Sequence, residues 1–253
     1  MRVVAMQRDL IVFVSGVWQT TATAVRAGGE GFLIDSPVLP DELETLPGVL
    51  EQSGFPVSGL LVTHGDWDHL LGRLVFPEAS LGCGEDTARR LAASPGAAQR
   101  ELRAFDDKYY IERNQPLGLG AVQMLPVPGR LALGASEAKR EIELIPAAGH
   151  TSDGTAYWIP WLEVLVCGDY LSPVELPLIE AGGTAEQYLV TLERLRPIVA
   201  RAKSVIPGHG RPLEREHALA LLEEDLAYVR ELSSAGSAGG GGGAGAATRR
   251  RRS

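Results

Sequence analysis

Short apolar runs, separated by glycine or polar residues, set the pattern along most of the chain. Runs of this kind, rich in β-branched residues and closed by turn residues, predict β-strands. In the first half of the chain they fall at 10–15, 21–27, 31–35 and 57–63. In the second half they fall at 121–127, 141–147, 155–160, 163–169 and 204–210, the last of which enters a glycine-rich turn. Sheet is therefore expected in both halves.

Longer segments between these runs have helical spacing, at 41–54, 84–110, 185–202 and 215–232. Pro47 is expected to interrupt the first helix, because proline removes a backbone donor, and the Pro-Gly pair at 95–96 is expected to break the second. Strands are followed by a helix in two successions. The expected fold class is therefore α/β, with sheet inside and helices outside.

The chain of 253 residues divides into a body, residues 1–232, and a tail, residues 233–253. Five consecutive glycines in the tail cannot bury apolar surface, so the tail is expected to be disordered. Four arginines, Arg249 to Arg252, precede the terminal serine and are interpreted as a solvated charge run.

Charge and composition limit the partners and the cellular compartment that are expected for this chain. The net charge of −8 argues against nucleic acid, because phosphate binding needs a positive surface. Cys83 and Cys167 show no disulfide-type pattern, which fits a reducing cytoplasm. No signal-peptide layout and no apolar run near the ~20 residues that span a bilayer are found, so no membrane association is expected. A small-molecule substrate is the expected partner, and the sequence leaves homo-oligomers open.

Histidines and aspartates of four loops share one kind of position. HGDWDH supplies His64, Asp66, Asp68 and His69 directly after an apolar strand. Each of the other three loops also follows a predicted strand and contains glycine; they supply His150 in AAGHTSDG, Asp169 in VCGDYLS and His209 in IPGHG. The remaining histidine, His217, lies inside a helical pattern, where a surface or packing role is expected.

Loops at the strand ends of one sheet edge converge, so these seven side chains are expected to meet. Borderline divalent metals prefer such a mixture of imidazole and carboxylate. Seven ligands exceed the needs of one tetrahedral ion and suit two ions about 3.5–4 Å apart that share a carboxylate and a hydroxide. The alternative reading is a set of unrelated polar loop residues.

In their order and spacing, the motifs HGDWDH, AAGHTSDG, VCGDYLS and IPGHG resemble those of the metallo-β-lactamase superfamily of two-metal hydrolases. The resemblance covers about residues 3–232 and includes GFLIDS before the first motif and YLVTLERL before the last. It implies an αββα four-layer sandwich, in which two sheets pack face to face and helices cover both outer faces.

The resemblance also implies a role for each ligand. The family pattern His-x-His-x-Asp-His puts His64, Asp66 and His150 on one metal ion. It puts Asp68, His69 and His209 on the other, with Asp169 bridging the two ions. Asp68 and Asp169 are the residues that it assigns to catalysis.

The chain departs from the family pattern at two places. Position 66 is aspartate where the family usually has histidine. With a carboxylate there, the three aspartates together cancel the formal charge of two divalent ions and one hydroxide. An oxygen-richer first site should also favour Mn²⁺ or Fe²⁺ relative to Zn²⁺. The second departure is GHTSDG at 149–154, where the thioesterase-like members resemble GHTPGH, which weakens an assignment as a glyoxalase II.

The implied chemistry is hydrolysis by a hydroxide that bridges two divalent ions, with Zn, Mn and Fe as candidate metals. Metal coordination lowers the pKa of water to near neutrality. The bond attacked stays open among ester, lactone, thioester, amide and phosphoester. Neither a G-x-S-x-G nucleophile elbow nor a phosphate-binding loop motif accompanies these motifs.

Two other functions are compatible with the motifs. Flavodiiron oxidoreductases resemble this pattern and have glutamate at the position of Asp66, although the chain after 232 is too short for their flavodoxin domain. A metal-binding module without catalysis is the other.

Substrate choice is expected to depend on residues 84–116, which are rich in arginine and aromatics and correspond to a lid in family members. The candidate substrate contacts are Trp67, Tyr109, Tyr110 and Arg113. An ordinary solvated helix with aromatics on the core explains the same residues.

Overall fold

The fold is described from a computed structural model, which describes residues 1–134 and 140–238. Residues 135–139 and 239–253 lie outside the described part, and with them most of the predicted tail.

The first sheet contains seven strands that follow one another across the sheet in chain order. They are β1 (Arg2–Gln7), β2 (Leu10–Val14), β3 (Thr21–Ala27), β4 (Glu30–Ile34), β5 (Gly59–Leu61), β6 (Ser80–Gly84) and β7 (Val122–Leu125). Strands β1 to β4 pair antiparallel, whereas β4 to β7 pair parallel. The ends of β4 and β5 therefore lie at the same edge.

The second sheet contains six strands in the order β13-β12-β11-β10-β9-β8. They are β8 (Gly129–Leu133), β9 (Arg140–Pro146), β10 (Thr155–Ile159), β11 (Val164–Val166), β12 (Ser204–Ile206) and β13 (Leu213–Glu214). Strand β11 runs parallel to β12, and β9 is antiparallel to β10, which is antiparallel to β11. The carboxyl ends of β9, β11 and β12 therefore share one edge.

In the described part of the chain, five α-helices cover the sheets: α1 (Pro40–Gln52), α2 (Glu85–Ala93), α3 (Ala97–Tyr109), α4 (Ala185–Val199) and α5 (Arg215–Ala238). Helices α1, α2 and α3 pack on the outer face of the first sheet, and α4 and α5 on that of the second. The layer order is helices, sheet, sheet, helices, which confirms the expected αββα sandwich.

Burial on both faces explains why the strands are apolar without alternation. In β2, Leu10 and Val12 belong to the core between the sheets, together with Tyr157 and Val166 of the second sheet. Ile11 and Phe13 of the same strand point to the other side, into the core under α1 and α3.

Two predicted helix boundaries are wrong. Pro47 does not interrupt the first helix, since α1 runs from Pro40 to Gln52 with Pro47 inside it, and burial of Leu43, Leu46 and Leu50 holds this helix to the sheet. The closing helix continues to Ala238, so the boundary expected after residue 232 lies within α5. The break at 95–96 is confirmed, because α2 ends at Ala93 and α3 starts at Ala97.

None of the helices in the described part of the chain combines the length and the apolar character that crossing a membrane would require.

Candidate metal centre

Loops from both sheets meet at one end of the sandwich. The first sheet supplies His64, Asp66, Asp68 and His69 after β5, partly through a short 3₁₀ helix at Trp67–His69. The second sheet supplies His150 after β9, Asp169 after β11 and His209 after β12. Backbone pairing joins the two sides, since the Thr21 N–H donates to the Gly208 carbonyl at 2.8 Å. The predicted convergence of these loops is thus present in the structure.

The first group of side chains consists of His64, Asp66 and His150, whose candidate ligand atoms lie within 4.8 Å of one another. One carboxylate oxygen of Asp66, Oδ2, lies 3.3 Å from His64 Nε2 and 3.5 Å from His150 Nε2. Asp66 therefore directs one oxygen toward the Nε2 atoms of both histidines of this group.

The second group consists of Asp68, His69 and His209. Asp68 Oδ2 lies 3.7 Å from His69 Nε2 and 3.6 Å from His209 Nε2. All three side chains are buried, with His69 1% exposed. They form a compact set of two nitrogen donors and one oxygen donor, as the first group does, and share no residue with it.

Asp169 lies between the two groups. Its Oδ2 is 3.3 Å from His150 Nε2, 3.3 Å from His209 Nε2 and 3.8 Å from His64 Nε2. Its Oδ1 is 3.4 Å from His69 Nε2. This one carboxylate reaches all four histidines, which is the position a bridging ligand needs.

Each of the four imidazoles has a polar partner close to its other nitrogen, Nδ1. His150 Nδ1 donates to the Leu178 carbonyl at 2.9 Å, and His209 Nδ1 to the Trp18 carbonyl at 3.2 Å. Thr63 Oγ1, which donates its own proton to Asp35, lies 3.0 Å from His64 Nδ1 and accepts from it. In their neutral form these rings carry the proton on Nδ1 and present the Nε2 lone pair to the centre, as metal ligands do.

Asp35 completes this arrangement, although the sequence did not single it out as a site residue. Its Oδ2 lies 3.1 Å from His69 Nδ1, and its Oδ1 accepts from the Thr63 N–H at 2.8 Å. Asp35 follows β4 directly, so the rule that found the other residues, a polar side chain at a strand end, also applies to it.

Charges within the centre shift several pKa values. Burial alone raises the pKa of Asp169, but the surrounding histidines hold it well below its usual range. Burial alone lowers the pKa of His150 and His209, yet the carboxylates, Asp169 foremost, raise each to about 9. Opposite charges therefore hold this cluster together, and a divalent cation would take the place of the imidazole protons.

Arg90 and Asp153 form a second unpredicted feature, on the outer side of Asp66. Arg90, in α2, donates through Nη2 to Asp66 Oδ1 at 2.6 Å and through Nη1 to Asp153 Oδ1 at 2.8 Å. Asp153 is buried and accepts from the Gly65 N–H at 2.9 Å. The pKa of Asp66 is held well below its usual range against burial, by His64, His150 and Arg90. The sequence gives no sign of this contact, because Arg90 looks like any helical arginine.

Glycine is required where the loops approach most closely. A Cβ on Gly208 would lie 2.0 Å from Asp169 Oδ1 and 3.1 Å from His69 Cε1. Gly149 has φ +140°, and a Cβ there would meet the Tyr188 backbone at 2.3 Å. These two positions let the loops of His150 and His209 pack against their neighbours.

The donor atoms fit metal ions. Nε2 of His64, His69 and His150 and Oδ1 of Asp169 are buried and have no hydrogen-bond partner. Buried polar atoms are rarely left unpaired, and convergent imidazole and carboxylate atoms are what divalent transition metals bind. The seven residues expected as ligands are therefore brought together, in two groups joined by Asp169.

The four residues expected to contact substrate differ in their surroundings. Trp67 is half-buried and packs against Trp18 and Phe105, with ring centroids 5.6 and 4.9 Å apart. Tyr109 lies on Phe105 and is 51% exposed, and Tyr110, after the end of α3, is 94% exposed. The buried side chain of Arg113 donates through Nε to Asp106 Oδ2 at 2.8 Å.

A cavity of about 640 Å³ adjoins the centre between α2, α3 and residues 117–122. Its wall includes Gly65 of the metal loop and Arg90, and is otherwise mostly apolar, with Ala88, Leu91 and Leu117 among the lining residues. The segment expected to govern substrate choice thus forms a cavity, but Trp67, Tyr109, Tyr110 and Arg113 are not among its lining residues.

The chain is similar to known proteins of one fold. The model of the metallo-beta-lactamase superfamily matches residues 15–80, which include HGDWDH but not the other three motifs. The DIM-1 metallo-beta-lactamase exposed to ceftazidime has 19% identity and a TM-score of 0.64, over 91% of this chain and 97% of that one. The metallo-beta-lactamase family protein TTHA1429 from Thermus thermophilus has 20% identity and a TM-score of 0.66, over 91% and 82%.

A third similar structure is that of TTHA1623 in a di-iron-bound form, with 20% identity and a TM-score of 0.61 over 81% of this chain and 95% of that one. At these identities the likeness shows a shared fold. The resemblance to the metallo-β-lactamase superfamily and the αββα architecture are thus confirmed. Together with the His and Asp groups, they support a protein of the metal-dependent hydrolase type.

Proposed function

We propose that the protein is a hydrolase that works with two divalent metal ions. The position of Asp169 carries this proposal, because one carboxylate lies within 3.8 Å of the Nε2 atoms of all four histidines. His64, Asp66 and His150 would hold the first ion, Asp68, His69 and His209 the second, and Asp169 both. Two ions held in this way lower the pKa of water and polarise the bond under attack.

The protein's own residues prepare this chemistry. Asp35, Thr63 and the Leu178 and Trp18 carbonyls hold the Nδ1 protons, so each ring is kept in the tautomer that presents Nε2. Asp68, with one oxygen 3.7 Å from His69 Nε2 and 3.6 Å from His209 Nε2, would supply the oxygen donor of the second group. Fixed donors spare the site reorganisation during the reaction, and this preorganisation is a main source of catalytic rate.

The adjoining cavity supports a small-molecule substrate with an apolar portion. Its volume of about 640 Å³ lies within the range of ligand pockets, roughly 300–1,000 Å³. Since its wall reaches Gly65 and Arg90, a substrate seated there would have its far end next to the metal loop. An ester, lactone or thioester with an apolar acyl group fits this description better than a polyphosphate.

The test combines metal counting with a substrate panel. The protein should contain close to two metal ions by elemental analysis and should hydrolyse members of a panel of aryl esters, lactones, thioesters and phosphodiesters. His209→Ala should lose one ion and most activity. His217→Ala, an exposed helical histidine outside the centre, should match wild type. A protein that holds at most one ion, with the same content after His209→Ala, would contradict the second site.

A redox role is the second candidate, favoured by the carboxylate of Asp66 in the first group. It is supported further by TTHA1623, a similar structure in a di-iron-bound form. Iron-loaded, chemically reduced protein would then consume oxygen faster than free iron and would fail on the whole ester panel. Two bound ions with neither activity would favour a metal-binding module.

A further inference from the structure

The side of Asp66 that faces away from the metal centre is the feature that the proposed function leaves unused. One oxygen, Oδ2, faces His64 and His150, while the other, Oδ1, accepts from Arg90 Nη2 at 2.6 Å. A carboxylate can bind an ion through one oxygen or both. Here the second oxygen already has a charged donor, so the carboxylate is held in a one-oxygen orientation.

Arg90 is itself fixed. Its other terminal nitrogen donates to Asp153 Oδ1 at 2.8 Å, and the Asp153 side chain is 1% exposed. Asp153 Oδ2 accepts from the Gly65 N–H, and its carbonyl accepts from Thr87 Oγ1 at 2.8 Å, one helical turn before Arg90. A planar guanidinium with two carboxylate partners is far more rigid than a lone surface arginine.

This network links the two places where the sequence departs from the family pattern. Asp66 replaces a histidine of the first motif, and Asp153 lies in GHTSDG, where the related motif differs. Arg90, in helix α2, connects the two. In the sequence it lies 24 positions after Asp66 and 63 positions before Asp153. A histidine at 66 would carry no oxygen for this guanidinium, so the three residues are understood best as one unit.

We propose that Arg90, braced by Asp153, is a positioning residue that limits Asp66 to one metal-binding oxygen. The inference rests on the proposed metal centre. With one oxygen from Asp66, the first ion receives two nitrogens and one oxygen from His64, His150 and Asp66, besides the shared Asp169. That small donor set suits Zn²⁺, which accepts low coordination numbers, whereas a two-oxygen carboxylate suits the higher coordination numbers of Mn²⁺. Arg90 therefore offsets the preference for harder ions that a carboxylate at 66 would otherwise impose.

The variant Arg90→Gln tests this by metal binding alone. Apo protein is offered equal concentrations of Zn²⁺ and Mn²⁺, and the bound ions are counted. In a separate titration, the Zn²⁺ affinity of each of the two sites is measured. We expect first-site Zn²⁺ affinity to fall by about 10- to 100-fold, the usual effect of losing a partner of a metal ligand. The Mn²⁺ share should rise, and second-site affinity should stay at the wild-type value. In Co²⁺-loaded protein the visible absorption should weaken, because higher coordination lowers its intensity.

Controls separate positioning from folding. Arg89→Gln removes the neighbouring arginine of α2, which is exposed and pairs with Glu85 and Asp86, and should match wild type in every measurement. Arg90→Lys keeps the charge without the two-pronged geometry and should restore only part of the Zn²⁺ preference. If Arg90→Gln folds poorly because Asp153 is left unpaired, Arg90→Gln with Asp153→Asn removes both charges and should show the metal change with normal folding.

An unchanged Zn²⁺ affinity, Mn²⁺ share and Co²⁺ spectrum in the folded double variant would overturn the inference. A failure of the hydrolase proposal would give a different result. Protein that binds two ions with Arg90-dependent preference but cleaves no substrate would overturn the proposed hydrolysis and support the role of Arg90.

Discussion

At the scale of single residues, Asp66 supplies the one oxygen among the three residues of the first candidate group. Its Oδ2 lies between His64 Nε2 and His150 Nε2, where the family pattern has an imidazole. Asp66→His should keep the fold and raise the preference for Zn²⁺ over Mn²⁺, because nitrogen replaces a harder oxygen donor. Asp66→Ala should lose the first ion. Competition between equal Zn²⁺ and Mn²⁺ for apo protein measures both effects.

One result of this metal competition would show that Asp66 does not bind metal. If wild type and Asp66→His bind the same ratio of ions, and Asp66→Ala keeps both ions, then Asp66 is no ligand. Asp66→His also removes the acceptor of Arg90 Nη2. Because Arg90 keeps Asp153 as a partner, the protein is still expected to fold.

Gly208 gives a second prediction at this scale. Its Cβ would lie 2.0 Å from Asp169 Oδ1, so Gly208→Ala must displace the carboxylate that reaches all four histidines. A displacement near 1 Å in an active site typically costs about 100-fold in rate. We expect a loss of that order in hydrolysis, with bound metal falling from two ions toward one by elemental analysis.

Gly48 provides the matched control, because no atom lies within 4 Å of the Cβ that alanine would add there, in helix α1. Gly48→Ala should leave metal content and rate unchanged and should stabilise the helix by up to about 1 kcal/mol. Equal metal content in the two alanine variants would show that the loop around Gly208 relaxes without moving Asp169.

The residues that the sequence predicted and those it missed differ in a physical way. All seven predicted ligands follow strands in glycine-containing loops, a local pattern that is visible along the chain. Asp35 obeys the same rule after β4 and was open to the same reasoning. Arg90 contacts Asp66, 24 positions earlier in the sequence, and Asp153, 63 positions later. A local sequence pattern does not reveal contacts between residues so far apart in the chain.

At the scale of elements, apolar strands with β-branched residues were predictable and irregular ones were not. The predicted runs at 10–15, 21–27 and 155–160 correspond to β2, β3 and β10. Strands β1, β6, β8 and β13 were not predicted. Strand β6, SLGCG, contains two glycines and no β-branched residue, and pairing with β5 and β7 decides its conformation. Strands β1 and β8 lie at sheet edges, where much of the surface stays exposed.

Helix α5 allows a matched pair of leucine substitutions. Leu226 is 1% exposed in the core beneath the second sheet, whereas Leu232 on the same helix is 42% exposed. Leu226→Ala should lower the free energy of unfolding by about 2–5 kcal/mol, because it leaves a cavity. Leu232→Ala should change it by less than about 0.5 kcal/mol. Denaturant unfolding measures both, and equal losses would contradict the packing of α5.

The end of α5 also redefines the expected tail. Because the helix continues to Ala238, a protein that ends at residue 238 keeps the whole element, and we expect its melting temperature and hydrolysis to match the full chain. The removed residues 239–253 contain five consecutive glycines and contribute no apolar side chain larger than alanine. A clear fall in melting temperature or activity after this truncation would assign the tail a role.

At the scale of the whole molecule, the candidate metal centre is one of the places where polar groups from the two sheets meet. The first sheet contributes Asp66, Asp68 and two histidines, and the second contributes His150, Asp169 and His209. Ions bound to both sets would tie one sheet to the other in the folded state and would find no such set in the unfolded chain. A ligand that binds the folded state at 100 times its dissociation constant adds about 2.7 kcal/mol of stability.

Metal removal should therefore destabilise the protein as a unit. For a domain of this size, about 2.7 kcal/mol corresponds to a fall in melting temperature of roughly 5–11 °C after chelation. Readdition of Zn²⁺ should restore the original value. In His209→Ala, which keeps the first group but loses a donor of the second, the difference between metal-loaded and chelated protein should shrink. An equal melting temperature with and without metal, in protein shown to bind two ions, would mean that the unfolded chain binds the ions as well as the folded state does, and would contradict this account.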